Sequence, residues 1–85
     1  MINATIVFAS GMKIVFTEHA ESRMSHREIS KSEVEGAVLH PYFTLPAKLA
    51  RLIFVKKQGD KYLKVICEKS NDKITVVTVY WTRRP

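Results

Sequence analysis

Three runs of sequence decide the fold: RLIFVKK (51–57), KYLKVICE (61–68) and ITVVTVYW (74–81). Each run is rich in β-branched and aromatic residues, which favour extended backbone. The segments between them, QGD (58–60) and SND (70–72), contain the residue types that form tight turns. We therefore predict two consecutive hairpins that set three strands side by side in an antiparallel sheet.

The register of these hairpins predicts which side chains share a face. If Gly59 and Asp60 form a two-residue turn, Val55 pairs with Lys64. A three-residue loop is favoured for the second hairpin, because it sets Lys64 opposite Thr78 and groups polar residues, whereas a two-residue turn would turn the last strand over. The apolar face then carries Leu52, Phe54, Leu63, Val65, Cys67, Val77 and Val79. The other face carries Arg51, Lys57, Tyr62, Lys64, Thr78 and Tyr80, interleaved with Ile53, Val55, Ile66 and Val76.

Two helices are predicted to precede these strands. Thr17 is the expected N-cap of the first helix, which runs to about Arg27. The second begins at the capping box SKSE (30–33), in which Ser and Glu satisfy each other's backbone donors, and Pro41 ends it. With a short strand at 13–16, the predicted order is βααβββ. This describes an α+β fold with two helices packed on one face of a small antiparallel sheet.

The chain is expected to form one domain. It has 85 residues, of which 46% are hydrophobic, as in an ordinary globular protein. Residues 1–11 are predicted to be an N-terminal extension, with residues 5–8 as a candidate edge strand, and residues 12–85 the single domain. Residues 42–45 are interpreted as a short extended piece. Cys67 is the one cysteine, and no zinc-ligand spacing occurs, so we expect a reducing, cytoplasmic compartment and no metal or other cofactor.

Charge is distributed unevenly along the chain. The formal net charge is +6, with four Lys and Arg against five Asp and Glu in residues 1–40 but ten against three in residues 41–85. A basic C-terminal half is typical of proteins that bind a polyanion, either nucleic acid or an acidic protein segment. Lysines that only keep a small domain soluble explain the same pattern equally well.

His19, Arg23 and Arg27 recur at every fourth position of the first predicted helix. They therefore form a cationic edge, in which an imidazole could exchange a proton and guanidinium groups could hold phosphate oxygens. The alternative is that Glu18 and Glu21 pair with these residues on a solvated surface. We favour the alternative for Arg27 and the functional interpretation for His19 and Arg23.

Cations and aromatic rings are also interleaved on the polar face of the predicted sheet. Arg51, Tyr62, Lys64 and Tyr80 are of the types that contact phosphates and stack on bases, although they are also common on any exposed sheet. No Ser/His/Asp series, carboxylate pair or Gly-rich phosphate loop is present. Any catalysis is therefore expected to be metal-free acid–base chemistry.

The string HAESRMSHREIS (19–30) resembles a known motif: His-Ala, then Arg-Met, then Arg, any residue and Ile-Ser opening a second helix. It is similar to domain of unknown function family 4258, a group similar to the RelE/BrnT toxins, and the likeness covers roughly residues 12–81. Glu28 stands where Gly is common. The resemblance implies a RelE-like fold and, for the characterised relatives, metal-independent RNA cleavage that a partner antitoxin neutralises.

The family resemblance and the strand register each indicate candidate site residues. The resemblance implies that His19 exchanges a proton and that Arg23 clamps phosphate while the ribose 2′-hydroxyl attacks phosphorus. The strand argument adds Tyr80 as a third catalytic candidate. The substrate-binding candidates are Arg27, Arg51, Lys64 and Thr78.

These residues support two hypotheses. The first is a RelE/BrnT-like endoribonuclease toxin that works without metal. The second is a non-catalytic module that binds RNA or an acidic protein through a basic sheet face. The expected partners are RNA and an antitoxin-like protein, not a membrane, and homo-oligomerisation is left open. A scaffold without RNA affinity is a third interpretation.

Overall fold

The computed structural model describes the backbone of residues 2–7 and 13–84, and the side chains of 13–84. The elements are β1 (Ile2–Val7), β2 (Lys13–Thr17), α1 (Glu18–Arg27), α2 (Lys31–Leu39), β3 (Phe43–Ala47), a 3₁₀ turn (Lys48–Ala50), β4 (Arg51–Gln58), β5 (Lys61–Lys69) and β6 (Lys73–Thr82). Phe8, at the end of the candidate edge strand, and Met12, the proposed start of the domain, lie outside the described residues.

The α+β class with two helices is confirmed, but the order βααβββ in a small antiparallel sheet is wrong. The strands form a single six-stranded sheet in the order β1-β2-β6-β5-β4-β3. Five of these strands come from residues 13–82, and β1 adds the sixth at one edge. The sheet is mixed, because β2 and β6 run parallel whereas the other neighbours are antiparallel.

Two features of the sequence concealed this topology. Residues 42–45, between Pro41 and Pro46, were predicted to be extended but were not assigned to the sheet, yet β3 pairs along its whole length with β4. A proline is tolerated in an edge strand, since a missing N–H on one side does not interrupt the sheet. The parallel contact of residues 13–16 with residues 73–76 joins distant parts of the chain, and local patterns carry no information about such pairing.

The predicted helix starts are confirmed. The Thr17 hydroxyl accepts a hydrogen bond from the Ala20 N–H at 3.0 Å, and Ser30 and Glu33 form both bonds of the capping box. Helix α1 ends at Arg27, because Glu28 adopts the left-handed conformation (φ 54°, ψ 45°). Glycine reaches that conformation without steric cost, which explains why a glycine suits this position.

The helices cover one face of the sheet. Ala20 and Met24 of α1 and Val34 and Ala37 of α2 are buried there against the strands. The strand residues of this core are Ile14, Phe16, Phe54, Leu63, Val65, Cys67, Ile74, Val76 and Val79. We call this side of the sheet the covered face and the opposite side, on which Val15 and Val55 are nevertheless buried, the open face.

The register of β4 with β5 is confirmed, whereas that of β5 with β6 differs from the prediction. Val55 pairs with Lys64, as expected, but Lys64 pairs with Tyr80 instead of Thr78. The Ser70 N–H donates to the Lys73 carbonyl at 2.8 Å, so the second hairpin has the two-residue turn that turns the strand over. A bulge opposite residues 66–67 then adds one residue, Val77, to β6. The side chains that follow it therefore return to the predicted faces.

The bulge changes which valine enters the core. Val76 is completely buried, whereas Val77, the predicted core residue, is only half-buried. The shorter turn and the bulge each move the register by one residue. Together they move it by two, so residues beyond the bulge lie on the faces that were predicted. Val79 therefore lies in the core, and Tyr80 alternates with it on the open face.

Candidate functional site

The sheet separates the predicted site residues into two groups. His19 and Arg23 belong to α1, whose Ala20 and Met24 pack on the covered face. Lys64 alternates along β5 with the buried Leu63 and Val65, so its side chain projects from the opposite side. Thr78 and Tyr80 pair with β5 residues on that same side. The structure therefore does not bring His19 and Arg23 together with Lys64 in one groove.

The helix group forms a local contact at the surface. Arg23 Nε donates a hydrogen bond to His19 Nε2 at 3.4 Å, and both side chains are exposed. Glu21, which was considered as their partner, forms an ion pair with Lys31 at 3.3 Å instead. The guanidinium and imidazole thus lie beside one another in solvent, in an arrangement that can accept an anion but does not enclose one.

The Arg27 side chain forms a hydrogen bond to the backbone of β6. Its Nη1 donates a hydrogen bond to the backbone carbonyl of Val79 at 3.1 Å, and the Thr17 hydroxyl donates to the carbonyl of Val77 at 3.3 Å. Strand β2 pairs with β6 only at residues 73–76, so these two carbonyls lie past the end of that pairing. Arg27 and Thr17 satisfy acceptors that a longer β2 would have bound.

The sheet group has a compact arrangement on the open face. Lys64 lies directly across from Tyr80, and Tyr62 precedes it by two residues on the same strand and face. All three side chains are half-buried, as is Thr78. Residues two apart on a strand are about 7 Å from one another, so both tyrosines occupy positions next to the lysine. We refer to Tyr62, Lys64, Thr78 and Tyr80 as the Lys64 cluster.

Arg51 is on the same face as the Lys64 cluster but is engaged elsewhere. Its Nε lies 3.0 Å from Glu68 Oε2, in the strand pair that joins these residues. The ion pair compensates the charge of Arg51 and removes it from the set of unpaired cations. By contrast, none of the ion pairs found among residues 13–84 includes Lys64.

Two further residues contribute to this face: Lys57, which was predicted on it but not as a site residue, and Tyr42, which was not predicted there. Tyr42 lies 6.3 Å from Tyr62 between ring centroids, and the Lys57 ammonium is 5.7 Å from the Tyr42 ring. These contacts extend the row of rings and cations toward β3. The sequence predicted an extended segment at Tyr42 but not its pairing with β4, so it did not indicate that Tyr42 lies near Tyr62.

A shallow cavity of about 350 Å³ lies where β5 begins and β6 ends. Its lining includes Lys61, whose ammonium is 4.2 Å from the Trp81 ring, and Arg83, which pairs with Asp60 at 2.8 Å. Both cations therefore have partners within the protein. Trp81 pairs with the buried Leu63, so the cavity lies toward the covered face, and its lining contains no general base.

Cys67 is a core residue, as predicted. It is completely buried, and burial raises the pKa of its thiol to about 12. A thiol with such a pKa is not a nucleophile near neutral pH. Within residues 2–7 and 13–84, no group of three or more His, Cys, Asp or Glu side chains is arranged to hold a metal ion.

The fold and the open face together define a small α+β domain with a basic, aromatic sheet surface. The profile of the family described as Domain of unknown function (DUF4258) matches residues 16–81, and the chain belongs to this family. Neither the curated proteins nor the solved structures gave a match. No helix in the part of the chain that is described is long and apolar enough to cross a membrane.

Proposed function

We propose that this protein binds single-stranded RNA through the open face of its sheet, with the Lys64 cluster as the centre of the contact. One observation carries the proposal: Lys64, which has no carboxylate partner among the described residues, lies opposite Tyr80 and two residues from Tyr62, on the face away from both helices. A lysine can neutralise a phosphate while neighbouring rings stack on bases.

The charge distribution supports the same surface. Residues 18–40, which include both helices, contain three Lys and Arg against five Glu. Residues 41–84, which form β3 to β6, contain ten against three. A polyanion that approaches the protein is therefore attracted more strongly to the strands than to the helices.

Binding is tested by fluorescence anisotropy with a labelled single-stranded oligoribonucleotide. We expect Tyr80→Leu to weaken binding about tenfold, since stacking on one base contributes about 1–3 kcal/mol. Lys64→Ala is expected to weaken binding and to reduce the salt dependence by about one phosphate contact.

Arg23→Ala is the matched control, because it removes one cation from the helix side. Its RNA affinity is expected to stay within about twofold of wild type, as for a charge outside the interface. If Arg23→Ala weakened binding as much as Lys64→Ala, RNA would contact α1 and the proposal would be wrong.

Metal-independent RNA cleavage is a second candidate, and the pairing of Tyr80 with Lys64 favours it. A phenol hydroxyl beside an ammonium group can act as a proton donor to a phosphate ester. In this form the RelE/BrnT-like activity would use the open face, and His19 and Arg23 would lie outside the reaction. The predicted antitoxin-like partner belongs to this candidate.

One substitution separates the two functions. Tyr80→Phe retains the ring but removes the hydroxyl, so it should preserve RNA binding in either case. Cleavage of single-stranded RNA in EDTA by the wild type, abolished in Tyr80→Phe, would establish catalysis. Intact RNA after incubation with wild type, with binding measured in parallel, would leave binding as the function.

A further inference from the structure

The exposed large apolar side chains are concentrated at one edge of the molecule. Among residues 13–84 they are Leu39 (45% exposed), Tyr42 (59%), Leu45 (37%) and Leu49 (79%). All four lie in one short segment, from the end of α2 through β3 to the turn after it. Strand β3 is the last in the sheet order, so this segment forms its outer margin. We call these four residues the β3 margin.

The backbone holds Leu49 outward at a conformational cost. Leu49 (φ 62°) and Ala50 (φ 58°) both adopt the left-handed conformation, which costs a residue with a Cβ about 1–2 kcal/mol. Glycine or asparagine would adopt this conformation more easily. A strained turn that places a leucine in solvent has no benefit for the core, so the cost points to a contact outside the chain.

The segment that carries the margin has basic but no acidic residues, although Arg51 pairs with Glu68 of β5. Residues 36–59 contain Lys48, Arg51, Lys56 and Lys57 but no Asp or Glu. Lys57 lies against the Tyr42 ring, and the Lys56 ammonium donates to the His40 carbonyl at 3.1 Å. An apolar patch bordered by cations complements a partner that combines apolar and acidic side chains.

A second copy of this chain is a poor occupant. Two β3 margins brought together would place the lysines of one against those of the other, and like charges in an interface are destabilising. Pro46 also lies in β3 and cannot donate a backbone hydrogen bond to an added strand. Both features are typical of edges that avoid pairing with themselves.

We infer that the β3 margin is the docking surface for an acidic protein segment with large apolar side chains, in which Leu49 is the central contact. The margin adjoins the Lys64 cluster at Tyr42, which lies 6.3 Å from Tyr62 between ring centroids, but its central residue, Leu49, is not part of that cluster. The inference does not depend on RNA binding.

The test uses a phage-displayed library of random peptides, selected on the wild-type protein and depleted on Leu49→Asn. Asparagine suits the left-handed conformation, so this variant removes the apolar side chain without disturbing the turn. Selected peptides are expected to be rich in Asp, Glu and large apolar residues. By fluorescence anisotropy, they should bind Leu49→Asn at least about tenfold more weakly than wild type.

Two controls make the result specific. Ala50→Asn changes the neighbouring left-handed residue in the same way but removes no large side chain, so it should bind like wild type. Lys48→Glu should weaken binding, whereas Lys13→Glu, on β2 at the far side of the sheet, should not.

Four results would overturn the inference: no selected peptides, basic peptides, equal binding by Leu49→Asn, or wild-type self-association that this variant abolishes. The last would assign the margin to a second copy. RNA affinity of Leu49→Asn should equal that of wild type, and its loss would show that the margin is part of the RNA surface instead. Failure of RNA binding in wild type would leave the peptide result unaffected.

Discussion

The two faces of the sheet have the same strands but different neighbours. On the covered face, Leu63 and Val65 are almost completely buried beneath the helices. On the open face, the alternate residues of the same strand, Tyr62, Lys64 and Ile66, are only half-buried. One strand thus supplies stability through one set of side chains and a surface for recognition through the other. Substitutions on β5 should therefore separate folding from binding.

Among single substitutions on β5, a large difference is expected between Leu63→Ala and Ile66→Ala. Removing Leu63 leaves a cavity in the core and should lower the free energy of unfolding by about 3 kcal/mol, whereas Ile66→Ala should cost about 1 kcal/mol because it is partly exposed. Urea titration monitored by circular dichroism measures both. Equal losses would contradict the division of β5 between the two faces.

The Cys67 thiol should make stability depend on alkaline pH. Burial raises its pKa from 9.0 to about 12 in the folded protein. The unfolded chain therefore loses this proton first, so stability is retained below pH 9.0 and falls as pH rises toward 12 by about 1.4 kcal/mol per unit.

Cys67→Val is the comparison that isolates this effect, since it keeps an apolar side chain of similar size. Its unfolding free energy should fall less steeply than that of wild type above pH 9.0, which is the ordinary thiol value. Parallel curves for the two proteins in urea titrations at increasing pH would mean that the thiol ionises freely in the folded state.

Glu28→Gly should stabilise the helix side by about 1 kcal/mol. Glu28 is in the left-handed conformation at the end of α1, which glycine adopts without steric cost. Thermal unfolding measures the gain, and RNA affinity should not change because the open face is untouched. A lower unfolding temperature would show that the Glu28 side chain contributes more than its backbone strain costs.

The smallest expected difference is between two arginines of the same helix. Arg27→Ala removes the hydrogen bond to the Val79 carbonyl and should cost about 1 kcal/mol, as expected for a hydrogen bond within the protein. Arg23→Ala, which contacts only His19 at the surface, should change stability by less than about 0.5 kcal/mol. Chemical denaturation of both variants checks the order, and a reversed order would assign Arg23 a structural role.

Local signals in the sequence predicted the local parts of this structure. Capping residues at Thr17 and Ser30 gave both helix starts, and Gly59-Asp60 gave the register of β4 with β5. These features depend on hydrogen bonds between near neighbours, so a short pattern contains them. The bulge in β6 was missed because it depends on how Val76 packs under the helices, which no local pattern encodes.

The candidate site was predictable only within each element. Lys64 and Tyr80 were correctly assigned to one face, because alternation along a strand fixes the side. Periodicity on α1 gave the contact between His19 and Arg23, but not the side of the sheet on which the helix packs. The side of the sheet on which α1 packs depends on the connection from β2. Because α1 packs on the covered face, its cations are separated from those of the open face.

The parallel contact of β2 with β6 has a consequence for synthesis. Residues 13–16 obtain this neighbour only from residues 73–76, so most of the chain must leave the ribosome before the sheet can close. Until then the helices can pack only against an incomplete sheet. Ile14 and Phe16 also lack β6, their neighbour on one side of β2. Nascent chains that stop before β6 should therefore be targets for chaperones and proteases.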